Sequence, residues 1–177
     1  MKQWIRKQKG LTQVEFSLIA LAVMLVLFMI IEFAIYFYSV QMVNEITRRA
    51  ARLATVCFIS ERDEIPNHQA LESLYPSGFT ANNLQIEYLD DTGATVDVSD
   101  FLSTPPAAST VLDAQFSKIK YVQARAVDYE FKFFVLAALI SAVGKTPAFE
   151  TVLPAESLGV LKPEADNPAV YSDCSAE

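Results

Sequence analysis

The stretch Lys9-Gly10-Leu11-Thr12-Gln13-Val14-Glu15-Phe16 decides the fold, because it leads without a break into an apolar run that ends at Val40. The 25 residues from Phe16 to Val40 contain a single charged residue, Glu32. A helix of this length reaches roughly 37 Å at about 1.5 Å per residue, which exceeds the roughly 30 Å hydrocarbon core of a bilayer. The sequence therefore predicts one membrane-spanning helix near the N-terminus.

A short basic leader precedes the apolar run and ends at Gly10. Its four cations are Lys2, Arg6, Lys7 and Lys9. Cations on this side of a spanning helix favour a cytoplasmic N-terminus. Glu15 lies on the lipid side of the glycine, and a carboxylate at the head of a membrane helix is costly enough that it usually has a partner and a function.

Gly10, Glu15 and Phe16, followed by the unbroken apolar run, resemble the processing site of type IV pilin-like proteins. In that family a membrane-embedded prepilin peptidase cuts after the glycine, which here implies cleavage between Gly10 and Leu11. Within the family, Val14-Glu15-Phe16 and Ile31-Glu32-Phe33 resemble the TadE/TadF-type pilin-like proteins of the tight-adherence (Tad) pilus system. The segment 149–159 is similar to the closing strand region of such proteins.

The resemblance implies a minor pilin or pseudopilin that is needed for pilus assembly, adhesion and biofilm formation, since major Tad pilins are much shorter. Its implied partners are the prepilin peptidase, other pilin-like subunits, the inner-membrane assembly platform and membrane lipid. The chain would cross the bacterial inner membrane once, with a periplasmic C-terminal domain, and could enter an extracellular pilus. Glu15 would pair with the new N-terminal amine of an adjacent subunit, with Phe16 and Glu32 as further assembly residues.

Charge and composition exclude several functions. The net charge is −7, and removal of residues 1–10 leaves ten cations against 21 carboxylates, a net charge of −11. This balance argues against nucleic-acid binding, which needs a basic surface. The lone histidine, His68, has no ligand-spaced partner, Asp90-Asp91 suits a turn better than a calcium loop, and no phosphate-binding glycine pattern occurs. We expect no enzyme, no metal and no cofactor.

Two alternatives to a Tad subunit stay open. A signal-anchored periplasmic sensor or binding domain would keep its leader, and a pseudopilin of a type II secretion system would share the processing site. Conventional secretion is disfavoured, because the small-x-small triplet Ala20-Leu21-Ala22 lies in the middle of the apolar run rather than after it.

The helix is expected to continue beyond the membrane. Apolar residues at spacings of three and four form one stripe: Ile46, Ala50, Leu53, Ala54 and Cys57. Three arginines fall outside the stripe, and Glu45 stands four residues before Arg49, a favourable helical pair. We therefore predict a leader at 1–10, a helix within 11–58 running from about Thr12 to Phe58, an extracytoplasmic domain at 59–159 and an acidic tail at 160–177.

The domain is predicted to be α+β and pilin-like, with an antiparallel sheet. We expect a short helix capped by Asn67, a strand at 84–88, a turn at 90–93, a return strand containing Val96 and Val98, and a loop at 103–110. A long strand is expected at 118–131, because Ile119, Tyr121, Val127, Tyr129 and Phe131 share one parity, and a last strand at 148–153.

Four features allow more than one interpretation. Glu32 could be an interfacial carboxylate or a second contact between subunits, and the aromatics at 33–38 could form a membrane belt, pack on the domain or do both. The uncharged run 133–143 is too short to span a bilayer, so it is either a core helix or a segment on the membrane or a neighbouring subunit. Cys57 and Cys174 could form a disulfide in an oxidising compartment, or Cys57 could be a buried thiol.

Overall fold

The computed structural model describes residues 9–103, 109–134, 144–145, 149–160, 172 and 174. Its helices are α1 (Lys9–Val56), α2 (Gln69–Glu72), α3 (Ser99–Leu102) and α4 (Ser109–Lys118), and its strands are β1 (Leu84–Leu89), β2 (Tyr121–Ala126), β3 (Glu130–Phe131), β4 (Gly144–Lys145) and β5 (Glu150–Pro154). Single 3₁₀ turns occupy Ile59–Glu61, Ile65–Asn67 and Ala81–Asn83. A long N-terminal helix followed by a small antiparallel sheet confirms the predicted fold class.

The chain divides into two compact units. The described part of the first consists of α1 up to Tyr38 together with residues 132–134 and 144. Here the large apolar side chains of α1 point outward, and Phe16 is 72% exposed. The mean hydropathy of the most apolar stretch of this helix is 2.9, and the helix is long and apolar enough to cross a membrane. Outward-facing apolar side chains all round a helix suit a lipid environment.

The second unit is built on a three-stranded antiparallel sheet with the order β1-β2-β5. β1 pairs with β2 from Leu84↔Ala126 to Leu89↔Tyr121, and β2 pairs with β5 from Tyr121↔Pro154 to Arg125↔Glu150. β3 and β4 form a separate two-stranded sheet. In β1 the even-numbered residues from 84 to 88 are buried, as the alternation predicted.

The core of this unit lies between the second part of α1 and the sheet. The predicted stripe on α1 is confirmed: four of its members are completely buried, and Leu53 is partly buried. The buried members are Ile46, Ala50, Ala54 and Cys57. The sheet contributes the fully buried Tyr88, Val122 and Ala124. The predicted pair between Glu45 and Arg49 is also present, at 2.7 Å.

The C-terminal end of α1 is capped by residues that are distant in sequence. The helix ends at Val56, two residues before the predicted end. Carbonyls of the last helical turn have no partner within a helix and need one elsewhere. The Leu158 N–H donates to the Thr55 carbonyl at 3.0 Å, and the Ser172 hydroxyl donates to the Val56 carbonyl at 2.6 Å. The closing segment and the tail thus complete this helix.

The predicted turn after β1 is confirmed. The Asp90 carboxylate accepts hydrogen bonds from the Thr92 hydroxyl at 2.7 Å and from the Thr92 and Ala94 N–H groups at 2.8 and 2.9 Å. These bonds, led by the Thr92 hydroxyl, hold the pKa of Asp90 below its usual value. Gly93 has a φ of 83°, a left-handed conformation that glycine adopts without strain.

The predicted return strand is wrong. After the turn, only the isolated bridge Leu89↔Thr95 joins this segment to β1. The Asp97 carboxylate accepts a hydrogen bond from the Ser99 N–H at 2.9 Å, at the start of α3. Val98 and Phe101 are then buried in the core, so the chain turns away from β1.

The predicted long strand at 118–131 is also wrong in extent and in parity. β2 buries Val122 and Ala124, whereas Tyr121 is 40% exposed. The strand ends at Ala126, and Asp128 has a φ of 51°, so the alternation restarts at β3.

Two helices also differ from the predictions. The side chain of His68, rather than Asn67, caps α2 by accepting a hydrogen bond from the Ala70 N–H at 3.1 Å. Helix α4, which was not predicted, packs Leu112 and Phe116 on the core at a four-residue spacing. The last strand is confirmed as β5. Most of the leader, most of the run 133–143 and most of the tail lie outside the described residues.

Gly159 offers a test of how tightly the closing segment packs on the helix end. Its φ is 78°, and an added Cβ would lie 2.3 Å from the backbone nitrogen of Phe58. We expect Gly159→Ala to lower the free energy of unfolding by about 2–5 kcal/mol, the sum of left-handed strain and overpacking. Gly78→Ala is the matched control, since Gly78 has a φ of 83° and nothing within 4 Å of the added Cβ. It should cost about 1–2 kcal/mol. Denaturation of the full chain in detergent measures both, and equal losses would contradict the close packing.

Candidate functional site

The predicted processing and pairing residues lie at the start of α1. The described part of α1 includes Lys9, Gly10 and Leu11, so the Gly10–Leu11 bond lies in a helical segment. Glu15 and Phe16 follow on the exposed surface of the helix. Among the described residues, none forms an ion pair with Glu15.

Glu32 has an intrachain partner that neither interpretation of this residue included. Its side chain is buried, and its carboxylate accepts a hydrogen bond from the backbone N–H of Phe134. The Phe133 ring contacts Phe33 with centroids 6.3 Å apart and Tyr36 with centroids 5.4 Å apart. The beginning of the second apolar run is therefore fixed on α1 around Glu32.

The exposed aromatics of this first unit suit a membrane interface. Phe37 and Tyr38 are exposed on α1, and Phe134 is 90% exposed. Tyrosine and other aromatic side chains are stable at the boundary between hydrocarbon and water. The contacts of Phe133 with α1 belong to the same unit, so some aromatics of this stretch pack within the chain while others face outward.

Cys57 and Cys174 are joined by a disulfide, with Cα atoms 5.6 Å apart. The bond spans 117 positions in sequence. In the chain-entropy description, closing a loop of this size destabilises the unfolded state by about 5 kcal/mol. The Cys174 N–H also donates to the Glu61 carboxylate at 2.8 Å. Both sulfurs are used in the disulfide, so the cluster of Cys57, Cys174 and Glu61 does not provide a metal site.

The exposed arginines of α1 line a cleft beside β5. The cleft has a volume of about 240 Å³, and Thr151 and Leu153 form its other wall. Arg49 is paired with Glu45, whereas Arg48 and Arg52 have no carboxylate partner within the described part of the chain. This surface is therefore basic, in contrast with the net negative charge of the whole chain.

Comparison with known proteins supports the resemblance seen in the sequence. Residues 10–52 match a family model described as TadE-like protein, which confirms the resemblance to TadE-type proteins of the Tad pilus system. The match includes Gly10, Glu15, Glu32 and the three arginines, and it ends before Cys57. No curated protein and no solved structure matches the chain. The matched family is structural rather than enzymatic, and the match points to a component of a Tad pilus system. The apolar helix is long enough to anchor such a component in a membrane.

The hydrogen bond of Glu32 can be tested with an isosteric pair of variants. Glu32→Gln keeps a carbonyl oxygen for the Phe134 N–H, so amide exchange at Phe134 should stay near the parent rate. Glu32→Leu removes the acceptor, and an unpartnered buried N–H costs about 1–3 kcal/mol. We expect exchange at Phe134 to accelerate at least about tenfold in Glu32→Leu, measured by hydrogen exchange of the full chain in nanodiscs. Equal exchange in the two variants would show that Glu32 does not hold this segment.

Proposed function

We propose that this chain is a minor pilin or pseudopilin of a Tad-type pilus, processed by a prepilin peptidase after Gly10. The observation that carries the proposal is the TadE-like match over residues 10–52, on a helix where Glu15 is exposed in an apolar surface. A structural subunit needs an anchor, a way to recognise its neighbours and a domain to present. Each of these requirements has a counterpart in the chain.

Glu15 supplies the recognition step. Cleavage after Gly10 would create an α-amine at Leu11, four residues before Glu15, which is about one helical turn. In hydrocarbon an isolated carboxylate is expensive, and it is stabilised by an opposite charge at close range. Pairing the Glu15 carboxylate of one subunit with the Leu11 amine of the next neutralises both groups. Each helix has one such carboxylate and one such amine, at fixed positions. Their pairing therefore also sets the register between adjacent helices.

The domain after the helix argues for a minor rather than a major subunit. The unit built on the three-stranded sheet would be held outside the inner membrane, with the basic leader in the cytoplasm. Such a subunit would act at the start or the tip of the fibre, and its loss would impair pilus assembly and, through it, adhesion and biofilm formation. The prepilin peptidase, other pilin-like subunits and the assembly platform are its proposed partners.

The N-terminus of the mature protein tests the processing step. In cells that contain the Tad prepilin peptidase, we expect membrane-extracted protein to begin at Leu11, and in cells that lack the peptidase to begin at Met1. Intact-mass measurement and N-terminal sequencing distinguish these forms. A chain that starts at Met1 in both strains would instead support the signal-anchored sensor.

Glu15 variants test the pairing step separately from processing. Glu15→Gln removes the charge but keeps the shape, so we expect cleavage after Gly10 to continue and pilus assembly to fail. Gln13→Ala is the matched control on the same exposed helical segment, and it should assemble normally. Pili are sheared from the cells and quantified, and the subunit is sought in the sheared fraction. Normal numbers of pili in the Glu15→Gln strain would refute the role of the charge.

A further inference from the structure

A groove of about 440 Å³ runs along the outer side of β1. One wall is the strand itself, from Leu84 to Tyr88, and the opposite wall is the segment 95–98. Arg62, Asp63 and Pro66 complete the lining. The groove exists because the chain leaves β1 after the bridge at Thr95 instead of pairing with it as a return strand.

At this groove, the backbone of β1 has hydrogen-bonding groups for which the described part of the chain provides no partner. The Ala126 N–H, opposite Leu84, donates away from β1 to Phe149, so the even-numbered residues of β1 point their backbone groups outward. The Tyr88 carbonyl accepts the Val96 N–H at 2.7 Å, in agreement with this orientation. Val96 thus lies opposite Tyr88, whereas within the described residues the N–H and carbonyl of Ile86 have no partner at this edge. An open edge of this kind can accept a further strand.

The hydroxyl of Tyr88 is a second, independent indication of a ligand. Tyr88 is 0% exposed, and within the described part of the chain its hydroxyl has no hydrogen-bond partner. Buried hydroxyl groups normally have one, because an unpartnered group costs free energy. Tyr88 is itself one of the residues that line the groove, together with Arg62 and Asp63.

The charge of the lining selects the kind of segment. The Arg62 Nε lies 2.9 Å from an Asp63 carboxylate oxygen, so these two charges compensate each other. Glu87 on β1 and Asp97 on the segment 95–98 add two further carboxylates, so the lining carries three carboxylates against one cation. This excess of negative charge favours a cationic ligand over an anionic one.

From these observations we propose that the β1 groove is an acceptor site for an extended, lysine- or arginine-containing segment of a partner chain. The segment adds to the sheet beside β1, exchanges backbone hydrogen bonds with Ile86, satisfies the Tyr88 hydroxyl and places its cations between Glu87 and Asp97. The proposal is independent of processing at Gly10 and of pairing at Glu15.

A synthetic peptide tests strand addition directly. Full-length protein in nanodiscs is titrated with a fluorescent octapeptide of alternating lysine and valine. We expect saturable binding, and at least tenfold weaker binding for a glutamate–valine peptide and for a lysine–valine peptide with alternate N-methylated amides. In saturated complexes, amide exchange should slow at least tenfold at Ile86. Exchange at Gln85 and Glu87 should not change, because their N–H groups already face β2.

Three variants connect binding to the proposed groups. Tyr88→Phe should weaken peptide binding at least tenfold while the protein is no less stable to heat, since it removes an unpartnered buried hydroxyl. Tyr121→Phe is the matched control on the exposed face of β2 and should bind as the parent does. The double variant E87Q/D97N should bind at least tenfold more weakly and lose most of its salt dependence.

Three results would overturn the proposal. They are absence of peptide binding, binding that leaves exchange at Ile86 unchanged, and equal affinity of Tyr88→Phe and the parent protein. The second result would mean that the peptide is held only by surface charge. The third would mean that the hydroxyl is satisfied without a ligand.

Discussion

One continuous helix has to be stable in two solvents, and this constraint governs the rest of the structure. A helix satisfies its backbone internally, so α1 can lie in hydrocarbon along its first part and pack a single stripe on a sheet along its second. The carboxylates and the end groups of the helix still need hydrogen-bond partners. The Glu32 carboxylate accepts a hydrogen bond from the Phe134 N–H. The Thr55 and Val56 carbonyls accept hydrogen bonds from the Leu158 N–H and the Ser172 hydroxyl. Glu15 is the carboxylate in the apolar stretch for which the described residues provide no partner, and this is why its partner is sought in another subunit.

Local periodicity accounts for what the sequence predicted correctly. The helix stripe, the alternation in β1 and the turn at Asp90 each depend on residues that are only a few positions apart in the sequence. The strand at 118–131 failed because parity was counted across Asp128, whose left-handed backbone resets the alternation. The return strand failed because burial of Phe101 and Val98 outweighs ladder pairing. Such competition between core packing and pairing depends on tertiary structure and is not visible in a single strand's pattern.

The candidate sites divide in the same way. Gly10 and Glu15 stay predictions, and they can be proposed from the sequence because their spacing within six residues is itself the motif. The partner of Glu32 is 102 positions away, and no local pattern links it to Phe134. The groove beside β1 could not be found at all, since it is the space left where an expected strand is missing. For the cysteines, the sequence allowed a disulfide as one of two possibilities. In the fold, Cys174 lies next to Cys57, which directly follows the last residue of α1.

The two edges of the sheet differ in charge, and this difference bears on assembly. The order β1-β2-β5 places the groove with Glu87 and Asp97 at one edge and the cleft with Arg48 and Arg52 beside the strand at the other. A contact between two copies of the same edge would bring like charges together, which disfavours a closed two-fold dimer. Contacts between unlike surfaces are heterologous, and they extend into open helical arrays when the rotation between subunits does not close. A domain with opposite charges at opposite edges therefore suits a subunit that is added head to tail, as the proposed pairing of Glu15 with a neighbour's amine would also require.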